Sequence, residues 1–270
     1  MIIAASTPSR PADPLRRARP RLARIVATLV ALLAANVANA ACFGPEEPVE
    51  IAGIEGGSSL ALTDGRTVRL ADIRLDIAQI PTERAALLRA RAEVEPVAFR
   101  PLEGGDRDRY GRHLGDIVFK DTAESLRERM VSDGLAFVDP TDMSEGCLTA
   151  LFEAERGAEN DGVGLWAQPE AVFDAAQPDL SRYAGQYALV DGVVKSVGET
   201  KRNLYLNFGE NFRTDFTVIV RRQDAERWEG GFTARAGVGV RIRGVLEAWN
   251  GGLIRVEHPA QIEWRDSSGL

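Results

Sequence analysis

Histidine and cysteine are scarce, with two of each in 270 residues. His113 and His258 stand far apart, which excludes a zinc site built on several imidazoles and leaves a hard cation on carboxylates as the only metal class to consider. Long apolar runs are also missing: the longest, residues 25–35, falls short of the ~20 residues a membrane-spanning helix needs. There is no Gly-x-Ser-x-Gly elbow, P-loop or dinucleotide fingerprint, and Gly56-Gly57-Ser58-Ser59 lacks the lysine of a phosphate cradle. With 44% hydrophobic and 27% charged residues, 26 Gly and 13 Pro, the composition is that of a globular protein, which excludes collagen, coiled coil and bulk disorder.

The start of the chain reads as an export signal. Arg10, Arg16, Arg17, Arg19, Arg21 and Arg24 precede the apolar run, and Ala38-Asn39-Ala40 is the small-x-small pattern a signal peptidase cuts after. Residues 1–40 are therefore expected to be removed, with the mature chain beginning at Ala41, exported to a periplasm or secreted, and left without a stable membrane span. Cys42 raises lipid anchoring as the alternative, although Asn39 stands where a lipoprotein signal has an aliphatic residue. Removing the signal takes six arginines and one aspartate, leaving 27 basic and 39 acidic residues and a charge of about −12. No global basic face remains to hold a polyphosphate backbone by counterion release.

An oxidising compartment favours pairing of Cys42 with Cys147, 105 positions apart, the alternative being a free or lipidated Cys42. Strand signals occupy 49–54, 59–62 and 67–70, with Asp64-Gly65 as a hairpin turn, and then 97–102 and 114–119. Helical spacing fills 82–92, 123–133 (stopped by Gly134) and 146–156 (stopped by Gly157). A small α+β domain over 41–167 follows. The aperiodic stretch 168–184 reads as a linker. Strand signals resume over 187–197, 203–208, 216–220, 238–246 and 253–256, with a turn at Asn250-Gly251-Gly252. Residues 185–270 are thus expected to form a small all-β barrel of the oligonucleotide/oligosaccharide-binding (OB) type, with an immunoglobulin-like sandwich as the competitor.

Thr67-Val68-Arg69-Leu70-Ala71-Asp72-Ile73, Asp108-Arg109-Tyr110-Gly111-Arg112-His113-Leu114, Gly134-Leu135-Ala136-Phe137-Val138 and Gly164-Leu165-Trp166 occur in the order found in the staphylococcal nuclease (thermonuclease) family. The first domain resembles that family over residues 49–167. The resemblance implies a five-stranded OB-type barrel with three helices, and a chemistry of calcium held by two aspartates, a glutamate acting on water, and two arginines on the phosphate. The arginines correspond to Arg69 and Arg112. The acids do not match: Glu55-Gly56-Gly57-Ser58-Ser59 puts Gly57 or Ser58 at one metal ligand, and Arg74-Leu75-Asp76-Ile77 puts an arginine and an isoleucine at the second ligand and the glutamate.

Two function classes lead, with a structural envelope protein that has no ligand as a third. One is an exported protein whose nuclease-like domain lacks calcium-dependent catalysis, needs no cofactor and serves as a binding or interaction module, its protein partner unspecified. The other is an active phosphodiester-cleaving nuclease, with calcium, in which Arg69 and Arg112 work with the shifted acids Asp76 and Glu83. Nucleic acid or another anionic ligand is the partner the arginines suggest, and ion pairing with Asp72, Asp106 or Asp108 is the structural alternative for them. Asp106, Asp108 and Asp116, interleaved with arginines, read as a solvated turn.

In the second domain, Gly192-Val193-Val194-Lys195-Ser196-Val197, Tyr205-Leu206-Asn207-Phe208-Gly209, Asp215-Phe216-Thr217-Val218 and Val240-Arg241-Ile242-Arg243-Gly244-Val245-Leu246 resemble the C-terminal extension of exported bacterial thermonuclease-like proteins. Tyr205, Phe208, Phe212 and Trp249 are candidate stacking residues, with Lys201, Arg202, Arg213, Arg241 and Arg243 as candidate charges. Strand alternation instead puts Leu204, Leu206 and Phe208 on an inward face and Tyr205 on the other. His258 reads as a turn or capping residue.

Overall fold

Alternation of apolar and polar residues lays out most of the strands. In the computed structural model, which describes residues 42–55, 59–74, 96–105, 107–211, 213–228, 230–232 and 235–265, the first half contains β1 (Glu47–Val49), β2 (Ile51–Glu55), β3 (Ser59–Leu62), β4 (Thr67–Leu70), β5 (Ile73–Arg74), β6 (Val97–Pro101), β7 (His113–Phe119), β8 (Glu124–Ser125), α1 (Leu126–Ser132), β9 (Phe137–Val138) and α2 (Thr149–Asp161). The second half contains β10 (Phe173–Asp174), β11 (Tyr187–Val193), β12 (Ser196–Glu199), β13 (Asn203–Asn207), β14 (Thr217–Arg221), β15 (Gly239–Glu247), β16 (Leu253–Val256) and β17 (Ile262–Arg265). The expected signal at 1–40 and the expected helix at 82–92 lie outside the described residues.

The fold is mixed α+β, made of two curled, barrel-like sheets and a two-stranded antiparallel sheet, β5-β9. The first runs β1-β6-β7-β4-β3-β2, with β8 on β7. In β4, Val68 and Leu70 face a core that also holds Phe99, Ile117 and Phe119, while Arg69 lies on the opposite face of the strand. The second sheet runs β10-β11-β15-β16-β14-β13-β12, with β17 on β15. Leu204, Leu206 and Phe208 point into its core and Tyr205 does not, as alternation dictates. The stretch 168–184 carries β10, paired in parallel with β11, and a 3-10 turn, Leu180–Tyr183, with Leu180 fully buried.

Cys42 and Cys147 form a disulfide, with Cα atoms 5.8 Å apart. α1 starts on Ser125, whose Oγ accepts from the Glu128 amide. The third expected helix is displaced. Glu145–Cys147 is a 3-10 turn, and α2 runs through Gly157 to end at Gly162, which adopts the left-handed conformation. Gly157 sits on the exposed side of α2, where a glycine costs about 1 kcal/mol but does not outweigh the packing of Leu151 and Ala158 on the other side.

The two halves belong to one compact unit, Cys42–Leu270. Phe137 and Leu165 from the first pack with Tyr187 and Leu189 from the second. Within the first half, two glycines cross beside Leu165: a Cβ on Gly134 would lie 2.2 Å from the Val163 carbonyl oxygen, and one on Gly164 would lie 2.2 Å from the Gly134 carbonyl oxygen. Both have positive φ, so only glycine permits the approach.

Candidate functional site

The strand–turn pair β4 and β7 brings Arg69 and Arg112 together. β4 and β7 pair in parallel, with Arg69 opposite Leu114, and the turn before β7 is tied by Asp108, whose Oδ1 accepts from the amides of Tyr110 and Arg112 at 2.9 and 3.1 Å. Its other oxygen, Oδ2, accepts from Arg112 Nε at 2.8 Å and lies 2.6 Å from Arg112 Nη2 and 3.6 Å from Arg69 Nε. One carboxylate therefore bridges both guanidinium groups. Burial pushes the Asp108 carboxyl upward, but the bonds from Arg112 and the turn amides outweigh it and hold its pKa below the ordinary value.

Arg69 has a second anion. Its Nη2 donates to both oxygens of Asp142 at 2.7 Å, and Arg112 Nη1 donates to Ser59 Oγ at 2.7 Å. Asp142 is set in place by Asp72, which is fully buried and whose Oδ1 accepts from the amides of Thr141, Asp142 and Met143 at 2.9, 2.7 and 3.3 Å. Asp72 takes φ +54°, a conformation that aspartate tolerates better than most side chains. Burial, reinforced by the nearby Asp142 charge, raises its pKa to about 6. Behind it the buried Arg127 lies 3.9 Å from Asp72 Oδ2 and 3.7 Å from Asp116 Oδ2, with its guanidinium over the Phe43 ring.

The expected solvated turn holds for Arg107, Arg109 and Tyr110, which are exposed, and is corrected for its acids. Asp116 is fully buried between Arg100 and Arg127, and Asp108 is clamped by two arginines. Burial selects this pairing, because an unpaired charge there would lose its hydration without compensation. Of the expected partners of the arginines, Asp108 takes that role, Asp72 acts through Asp142, and Asp106 lies outside the described residues. Asp142 itself was missed: it lies 73 positions from Arg69, with no local pattern to connect them.

Calcium takes six to eight oxygen ligands, mostly from carboxylates and carbonyls. The carboxylates beside the two arginines already receive guanidinium or amide donors, and among the described residues no group of three or more His, Cys, Asp or Glu is arranged to hold a metal ion. Asp76 and Glu83, like Gly57 and Ser58, lie outside the described residues. Arg74 is turned elsewhere: it donates to Asp139 at 2.7 Å and lies 5.2 Å above the Tyr187 ring of the second barrel.

Residues 86–168 match the model of the staphylococcal nuclease homologue family. The chain carries a staphylococcal nuclease homologue domain. The match includes Arg112, Asp108 and Asp142 and begins beyond Arg69. No curated protein matches the chain.

Next to the nuclease-homologue domain, the second barrel turns two of its candidate charges inward. Arg243 is buried and donates to Glu155 at 2.7 Å and to the Val138 carbonyl at 3.1 Å, and it pairs with Glu263. Burial raises the Glu155 pKa despite Arg243. Arg241 donates to Glu159 and Asp191, each at 2.7 Å. Tyr187 Oη donates to the Val138 carbonyl at 2.7 Å. These groups join the barrels, so Arg241 and Arg243 are not available to a ligand. Phe208 is core, Phe212 lies outside the described residues, Lys201, Arg202 and Arg213 are exposed, and Trp249 is 41% exposed. His258 caps the turn Pro259–Gln261, its Nδ1 accepting from the Ala260 amide at 3.2 Å. No helix among the described residues is long and apolar enough to cross a membrane.

Proposed function

We propose that this is an exported nuclease-fold protein that acts by binding rather than by calcium-dependent phosphodiester cleavage. The observation that carries the reading is the internal neutralisation of Arg69 and Arg112 by Asp108 and Asp142. A phosphate that used both guanidinium groups would have to displace two carboxylates already in charge-assisted bonds, each worth on the order of 1.5–3 kcal/mol. Export is supported by the Arg-rich, apolar start and by the Cys42–Cys147 disulfide, a bond that persists in oxidising compartments.

The test is cleavage of single-stranded and duplex DNA by the protein from Ala41 onward, with and without calcium, and with Arg112→Ala as control. The expected result is no cleavage and no calcium-dependent thermal shift. Calcium-dependent cleavage that disappears in Arg112→Ala would overturn the proposal in favour of the nuclease using Asp76 and Glu83.

A further inference from the structure

A groove of about 810 Å³ opens where α2 faces the end of the second barrel. That is within the 300–1,000 Å³ typical of small-molecule sites. Its walls are aromatic on both sides. Phe152 comes from α2, while Trp228 and Trp264 come from the second barrel, each packed on Phe232, at 5.4 and 6.0 Å between ring centroids. Two guanidinium groups brace the walls: the buried one of Arg243, which joins the barrels, lies 4.7 Å from the Phe152 ring on its way to Glu155, and that of Arg235, within the second barrel, stacks on Trp264 at 4.2 Å.

The rim carries a charge the protein leaves uncompensated. Among the described residues, the Arg156 side chain on α2 has neither a hydrogen bond nor an ion pair, and the Arg227 side chain across the groove donates only to the Glu257 carbonyl, at 2.6 Å. Two carboxylates also line the groove. Glu263 is taken by Arg243, which leaves Glu145 as the free acid against two guanidinium groups without a carboxylate partner. A neutral apolar ligand would use the rings and ignore the arginines, and an inorganic anion would do the reverse.

We infer that this groove binds a small amphipathic anion, a flat apolar body carrying one carboxylate, sulfonate or phosphate head. The body lies between Phe152 and the two tryptophans, and the head meets Arg156 and Arg227 at the rim. The aromatic walls supply apolar area and the two guanidinium groups charge-assisted bonds. The site is separate from the Arg69–Arg112 cluster and does not depend on whether that cluster is active.

Anilinonaphthalene sulfonate is a probe of this shape, with phenylnaphthylamine as its uncharged counterpart. The expected result is saturable binding of one sulfonate probe per chain, with energy transfer from tryptophan. Arg156→Gln is expected to weaken it about tenfold at low salt and Trp264→Ala by a similar factor, whereas Arg202→Gln leaves it unchanged. The uncharged probe is expected to bind about tenfold more weakly than the sulfonate. Arg156 is exposed on α2 and its variant is expected to melt with the parent, so a lost signal cannot be assigned to unfolding. Equal binding of the two probes, or sulfonate binding unchanged by Arg156→Gln, would overturn the inference, as would the absence of one-to-one saturation.

Discussion

Arg69 Nη2 donates to both oxygens of Asp142, at 2.7 Å each, across 73 positions of chain. A side chain that the family resemblance assigns to a phosphate is here held by the protein's own carboxylate. The pair is mostly buried, with 15% and 12% of the two side chains exposed, so solvent screens it little.

Asp142→Asn tests that hold. Asparagine keeps an acceptor for the Asp72 amide and removes the charge facing Arg69. Inorganic phosphate, measured by titration calorimetry at low salt, is expected to bind roughly tenfold tighter to Asp142→Asn than to the parent, and Arg69→Ala in the same background is expected to abolish the gain. An unchanged affinity would mean that Asp142 does not guard the arginine.

Asp72 makes stability depend on pH. Its folded pKa, about 6, exceeds its ordinary value of 3.8, so the native state binds more protons than the unfolded state between the two. That contribution is complete below pH 3.8 and is lost as pH rises through about 6. Asp72→Asn retains an acceptor for the three amides and does not titrate. Urea unfolding is expected to show the variant gaining on the parent by on the order of 1–3 kcal/mol between pH 4 and 7, with a plateau above. Parallel curves would place the Asp72 carboxyl outside this range. Arg127, Asp116 and Asp142 are the charges around it, and none is changed by the substitution.

Arg243→Met strands Glu155. Removing one member of a buried pair is expected to cost about 3–5 kcal/mol, because the remaining charge stays dehydrated. Glu155→Gln added to Arg243→Met is expected to recover a large part of the loss, measured as the urea midpoint. The single variant is also expected to separate the unfolding of the two barrels, since the same guanidinium holds the Val138 carbonyl. A single variant as stable as the parent would show that Arg243 is not needed to join them.

The strands were largely legible because alternation is a local property. Ser59–Leu62, Thr67–Leu70 and Leu253–Val256 have the bounds that apolar spacing and turn residues assign. The end of α2 was not, because glycine marks a helix end only where the backbone turns left-handed, which Gly162 does and Gly157 does not. The arginine pair was visible as a motif, whereas its neutralisation depends on Asp142 arriving from a distant loop. Nor does the alternation Val240-Arg241-Ile242-Arg243 reveal that its outward arginines meet a second half of the molecule instead of water. Periodicity says which face a residue occupies and not what covers that face.

Arg74 commits its position to the seam between the barrels. Its guanidinium serves Asp139 and the Tyr187 ring. Placing an acid at that position would set two like charges side by side and strip the ring of its cation. An acid at this position would therefore weaken the seam between the barrels before it could serve any site, so the position is committed to joining the two halves.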